Sequence, residues 1–240
     1  MVKQQDYATL SDYPIAKRWP AQHPERLQLY SFPTPNGVKI SIMLEELGVD
    51  YEVHRVRLTD EDVKSDAFLS LNPNNKIPAI IDPNGPDGKP LGLFESGAIL
   101  LYLAEKYGKL LGNSAAERLK ITQWLMFQIG GVGPMFGQLG YFCAFAGKEI
   151  EDPRPRERYI NEAKRLLAVI DAALADQEWL VGEFSIADIA VAPWLQTLSK
   201  FYKVDDQVEL HRFPHVQAYI ARFDARDAVR RGWQIPSREG

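Results

Sequence analysis

The period of the apolar positions changes along the chain, and the changes divide it. Residues 1–26 keep no sustained period and hold Pro14, Pro20 and Pro24, so they read as an arm that packs on the body or stays mobile. Residues 26–32 carry Leu27 and Leu29 in an extended pattern, and the turn Thr34-Pro35-Asn36-Gly37 follows. Over 38–47, Ile40, Met43, Leu44 and Leu47 recur at helical spacing until Gly48 stops the helix. Tyr51, Val53, Val56 and Leu58 mark a second strand over 51–58, and a short polar helix spans 60–69. Residues 77–81 and 91–94 read as strands joined by a turn rich in Pro, Gly and Asp, and a helix over 95–107 ends at Gly108. The order is strand, helix, strand, helix, strand, strand, helix. It lets the first two strands run parallel and makes the last pair antiparallel.

Beyond a linker at 109–116 the strand pattern ceases. Residues 117–129 read as a helix with Trp124 and Phe127, and Ile160, Ala163, Leu167, Ile170 and Leu174 form a helical stripe over 159–176. Ser185-Ile186-Ala187-Asp188 reads as a capping box, with Ser185 accepting from the Asp188 amide and the Asp188 carboxylate reaching back. The expected organisation is an N-terminal arm (1–26), an α/β domain (27–108), the linker (109–116) and an all-helical domain (117–240).

Composition narrows the function classes. A chain that is 45% hydrophobic and 25% charged can build a full core unaided. A net charge of −4 argues against a general nucleic-acid surface, whose affinity comes from neutralising phosphates. No apolar stretch approaches the roughly 20 residues needed to span a bilayer, and the N-terminus lacks a secretory pattern. The single cysteine, Cys143, excludes an intramolecular disulfide and fits a reducing compartment. The expectation is a cytoplasmic protein without nucleic-acid or membrane partners.

Two helix N-termini carry the candidate chemistry, because such ends offer free amide N–H groups and a positive dipole. At Glu95-Ser96, the Ser96 amide and hydroxyl can hold a carboxylate while Glu95 meets an ammonium, the two charges of an amino-acid head group. Without a ligand the same residues are a plain helix cap. Ile77-Pro78 precedes a strand; in cis it would expose the Ile77 backbone to an extended peptide, although most X–Pro bonds are trans. Lys76 can meet a ligand carboxylate or stand as a solvated charge. Thr34 and Asn36 sit where donors would face a thiol at the first helix, and such donors lower a thiol pKa. The four residues 34–37 are equally an ordinary turn sequence. His211 and His215 are separated by Pro214, which breaks the helix that would align them, so no metal site is expected.

In order and spacing these segments resemble the glutathione transferase superfamily over residues 27–235. Ile77-Pro78 and Glu95-Ser96 match its glutathione site, and Ser185–Asp188 matches its helical-domain capping box. Thr34-Pro35-Asn36-Gly37, Asn74-Asn75-Lys76, Phe94-Glu95-Ser96-Gly97 and Gly130-Gly131-Val132-Gly133 look most like the bacterial nu class. The resemblance implies an α/β thioredoxin-like domain followed by an all-α domain, in a homodimer. It implies glutathione-dependent disulfide-bond reductase activity, with one or two glutathione molecules or one glutathione disulfide per site. By position, Thr34, Asn36, Lys76, Ile77, Glu95 and Ser96 match glutathione contacts. Arg158 matches an arginine meeting a second glutathione, and Gln138 is a further match. Glutathione conjugation to electrophiles, reduction of organic hydroperoxides and a non-enzymatic regulatory role are the alternatives within the same fold. A thioredoxin mechanism needs a cysteine pair that is absent here, so the thiol must come from a diffusible ligand.

Overall fold

Two runs of wholly buried residues, 27–31 and 79–82, form the central strands of a mixed sheet. In the computed structural model, which describes residues 7–238, the four strands are β1 (Leu27–Ser31), β2 (Tyr51–Arg55), β3 (Ala79–Asp82) and β4 (Leu91–Phe94), in the order β2-β1-β3-β4. β1 and β2 run parallel, with Leu29 opposite Val53. β3 is antiparallel to both β1 and β4, with Ile80 opposite Leu29 on one side and Leu93 on the other. The helices of this unit are α1 (Ile15–Arg18), α2 (Gly37–Leu47), α3 (Asp60–Val63), α4 (Asp66–Leu71) and α5 (Ser96–Tyr107). This is the expected thioredoxin-like layout, a four-stranded mixed sheet with a parallel β-α-β start and a closing hairpin.

Two details differ from the sequence pattern, and a third decides between alternatives it left open. The single helix expected over 60–69 is two short ones, because Ser65 interrupts it and its Oγ accepts from the Phe68 N–H at 3.2 Å. The described part of the arm is built into the core. Leu10, Tyr13 and Ile15 are buried with Tyr30, Phe68 and Ile81, and Arg18 reaches the Asp62 carboxylate at 2.7 Å. Irregular, proline-rich sequence left this open because its apolar residues follow no single period. The chain also folds as one unit up to Tyr107 together with the segment from Ala228, whereas the sequence pattern placed everything from 117 onward in the helical domain. That closing segment grips α2. The Ser41 hydroxyl donates to the Gly232 carbonyl at 2.6 Å, and Arg231 pairs with Glu45 at 2.6 Å. A Cβ on Gly232 would lie 2.6 Å from the Ile42 backbone, so only glycine permits this approach.

The second unit, Gly108–Asp227, has no sheet strands among its described residues. It contains α6 (Ala115–Phe127), α7 (Gly133–Cys143), α8 (Arg154–Ala173), α9 (Ile186–Thr197) and α10 (Pro214–Asp224); α11 (Asp227–Gly232) follows at the unit boundary. A π-helical turn, Gln128–Val132, joins α6 to α7. Every residue of α9 is buried. The expected capping box starts it: Asp188 accepts from the Ser185 N–H at 2.9 Å, and the Ser185 Oγ accepts from the Ala187 N–H at 3.3 Å. Asp188 also accepts from the Leu180 N–H and the Tyr219 hydroxyl, both at 3.0 Å. Burial pushes its carboxyl up to about 6 against these donors.

Asp188 thus satisfies donors from three separate segments. Asp188→Ala should cost about 3 kcal/mol or more in urea unfolding, because it leaves buried N–H and O–H groups unpaired. Ser185→Ala should cost about 1 kcal/mol, the usual loss of an N-cap side chain.

Candidate active site

The turn before α2 is held by its own backbone. The Thr34 N–H donates to the Phe32 carbonyl at 2.7 Å, and the Val38 N–H donates to the Thr34 carbonyl at 2.9 Å. A Cβ on Gly37 would lie 1.9 Å from the Phe32 carbonyl oxygen, so the chain can turn this tightly only at glycine. The Thr34 hydroxyl oxygen accepts from the Gly37 N–H at 3.2 Å, which leaves the hydroxyl proton as the group Thr34 can offer outward. Arg238 braces the turn by donating to the Pro33 carbonyl at 2.9 Å.

A polar cavity of about 150 Å³ opens beside this turn, lined by Asn36, Asn72, Asn74, Lys76, Ile77, Pro78, Glu95 and Ser96. Five of the residues singled out from the sequence therefore converge: Asn36, Lys76, Ile77, Glu95 and Ser96. Thr34 lies two residues before Asn36 on the same turn and does not line this cavity. The volume is below the roughly 300 Å³ at which ligand pockets usually begin, so it suits a head group rather than a whole tripeptide. The Ile77–Pro78 bond is cis.

Glu95 has φ +72°, the left-handed region that a non-glycine residue enters at a cost. Its carbonyl accepts from the Ile99 N–H at 3.0 Å, so the strained residue opens α5, and its side chain is exposed. Ser96 follows as the first helical residue and is buried. Together they place a free carboxylate and a helix N-terminus side by side. The arrangement can receive one ammonium and one carboxylate.

Two residues of this site escaped the sequence reading. Asn72 is buried; its Oδ1 accepts from the Asn74 N–H at 2.9 Å, and its Nδ2 donates to the Lys76 carbonyl. It fixes the loop that carries Lys76, and the Asn-rich turn sequence is its signal. Lys39 is 0% exposed on α2, and its ammonium donates to the Asn36 Oδ1 at 2.8 Å and the Ser96 Oγ at 3.2 Å. Burial lowers its pKa to about 7, opposed by the nearby Glu95 carboxylate. The i, i+3 spacing from Asn36 is the sequence signal that places it on the same face.

The remaining candidates, and two other side chains able to do such chemistry, fall elsewhere. Gln138 and Arg158 are exposed on α7 and α8 of the helical unit. Cys143 ends α7, half-buried, and burial pushes its thiol up despite the opposing influence of Arg156. Tyr30 is fully buried and stacked on His54 at 4.6 Å, a packing residue whose phenol is pushed well above its ordinary pKa. Among the described residues no cluster of three metal-ligating side chains occurs, and no helix is long and apolar enough to cross a membrane.

Comparison with known proteins places this geometry in a family. Residues 25–105 match the glutathione S-transferase N-terminal domain, and residues 153–222 match the glutathione S-transferase C-terminal domain. The chain is 44% identical over 205 residues to the disulfide-bond oxidoreductase YfcG of Escherichia coli, covering 85% of this chain and 92% of that protein. A glutathione transferase from Pseudomonas putida, solved with one glutathione disulfide bound per subunit, superposes with a TM-score of 0.94 at 59% identity, covering 95% of this chain and 99% of that one. One from Burkholderia graminis, with two glutathione molecules per subunit, superposes with a TM-score of 0.94 at 60% identity and covers 98% of each chain. With a cis-proline beside a polar cavity on a thioredoxin-like domain, and an α-helical unit after it, the chain belongs to the glutathione S-transferase family.

Proposed function

We propose that this protein is a glutathione-dependent disulfide-bond reductase, in which the glutathione sulfur does the chemistry and the protein holds it as thiolate. The carrying observation is the convergence of Asn36, Lys76, Ile77, Glu95 and Ser96 on one cavity at the N-terminal ends of α2 and α5. The likeness to YfcG, a named disulfide-bond oxidoreductase, supports the same reading. Glu95 takes the ammonium of the γ-glutamyl head group, and the Ser96 amide and hydroxyl take its carboxylate. Lys76 meets a further carboxylate, and the Ile77 backbone pairs with the peptide. Thr34 and Asn36 donate hydrogen bonds to the sulfur.

The bound thiolate attacks one sulfur of the substrate disulfide, the S–S bond breaks, and the leaving thiolate takes a proton. A second glutathione thiolate attacks the glutathione sulfur of the mixed disulfide and releases the other substrate thiolate. Two glutathione molecules become one glutathione disulfide, and the substrate gains two electrons and two protons. Exchange of this kind is fastest when the attacking thiol has a pKa near ambient pH, which the donors at α2 promote. Arg158, with Gln138, positions the second glutathione. In its finer features the protein is a cytoplasmic homodimer of the nu class. It needs no metal and takes one or two glutathione molecules or one glutathione disulfide per site.

The deciding experiment is steady-state reduction of a small model disulfide by glutathione, coupled to glutathione reductase and NADPH. Wild type and Cys143→Ala should turn over equally, since the Cys143 thiol is pushed away from thiolate formation. Glutathione binding without turnover would replace this reading with conjugation or hydroperoxide reduction; no binding in calorimetry would favour a regulatory module. The Thr34→Ala, Asn36→Ala double variant should lose about 10²-fold in kcat, the usual scale for preorganised donors, with a much smaller change in glutathione affinity. Glu95→Gly should separate strain from recognition. Its thermal stability should hold or rise, while glutathione affinity falls about tenfold to hundredfold through loss of a charge-assisted contact.

A further inference from the structure

Lys39 sits inside the first unit, on a helix with nine buried residues, and touches two groups that line the cavity. An ammonium group only donates, and both contacts are to oxygens, the Asn36 Oδ1 at 2.8 Å and the Ser96 Oγ at 3.2 Å. The first contact decides which way an ambiguous side chain faces. A carboxamide can turn either end toward a ligand, and only the NH2 end can stabilise a thiolate. With Oδ1 anchored on Lys39, Asn36 is held with its NH2 as the end turned away from the lysine. The second contact does the same for Ser96: its oxygen accepts from Lys39, so its hydroxyl proton is directed elsewhere.

We propose that Lys39 is a positioning residue that fixes Asn36 and Ser96 as donors and so allows the site to hold glutathione as thiolate. This rests on the reductase reading and identifies what sets the polarity of that same site. Lys39 is not a general base in this role, because its contacts to Asn36 and Ser96 are both donated. A nearby negative group stabilises the charged form it needs, as Glu95 does; a bound thiolate would act in the same direction.

The test is the pKa of enzyme-bound glutathione, read from the ultraviolet absorbance of its thiolate across a pH titration. It is measured for wild type, Lys39→Met, Asn36→Ala and the double variant, with model-disulfide turnover alongside. Lys39→Met should raise the bound-thiol pKa by about one unit, a tenfold loss of thiolate at neutral pH, with a parallel fall in kcat. In the Asn36→Ala background the same substitution should change thiolate fraction less than about twofold, since residues acting through one another are not additive. Lys39→Gln, which keeps an N–H donor, should retain more thiolate than Lys39→Met; a mere packing defect would not give that order. It also serves if the Met variant does not fold.

Two results would overturn the proposal while leaving the reductase reading intact. In one, Lys39→Met has wild-type thiolate fraction and turnover. In the other, it causes an undiminished tenfold loss in the Asn36→Ala background, which would make Lys39 a through-space charge only. A wild type that binds no glutathione thiolate and reduces no disulfide would overturn both.

Discussion

The constraint on which the first unit depends is the burial of α2, in which nine of eleven residues are buried. The helix packs on β1 and α5, and the closing segment covers it at Gly232. The buried positions of such a helix must be apolar or must pair every polar group they carry. The buried polar side chains of α2 are Ser41 and Lys39. Ser41 donates to the Gly232 carbonyl, and Lys39 turns to Asn36 and Ser96. The buried ammonium therefore costs stability below about pH 7. Above that the folded protein releases the proton while the unfolded chain keeps it up to the ordinary lysine range, so this cost shrinks as pH rises. A hydrophobic residue at 39 would avoid the cost, and what the lysine adds is orientation at the cavity.

A protein thiol is poorly placed to do the chemistry. Cys143 is half-buried and its pKa is raised, opposite to the electropositive setting of a reactive thiolate. The favourable setting for a thiolate is the start of α2, where Gly37 tightens the turn and Thr34 and Asn36 stand at the helix's positive end. In the proposed reaction the site supplies donors, a dipole and charge pairing, while the sulfur arrives with the substrate. This division explains how a redox enzyme can lack the cysteine pair that such chemistry otherwise needs.

Much of this was legible from local patterns whose physics is local. The Ser185–Asp188 box and the helix stop at Gly48 depend on residues a few positions apart, and both appear as expected. Glu95-Ser96 and Ile77-Pro78 read as ligand groups, and the structure does bring them to one cavity. What stayed hidden depends on long-range packing. Ile15 and Tyr13 lie in a segment without a period, yet Ile15 is wholly buried and Tyr13 nearly so. Nothing local shows that the segment from Ala228 returns to cover α2. Lys39 is the sharpest case: on an amphipathic reading a lysine marks the solvent side, and only the burial of nearly the whole helix reverses that.

Several departures from local rules gather at the cavity. Glu95 adopts φ +72°, Asn75 φ +52°, and Lys39 is charged and buried, all at or beside the cavity. In the helical unit Leu110, Lys203 and Glu209 also take positive φ, while α9 starts from a satisfied capping box. A fold can carry a few kcal/mol of strain where geometry has another use. Here the strain at Glu95 aims a carboxylate beside a helix N-terminus, and the buried lysine fixes the polarity of the next two groups. The thioredoxin-like scaffold supplies the rigidity, and these three unfavourable residues give the cavity its pattern of donors and charges.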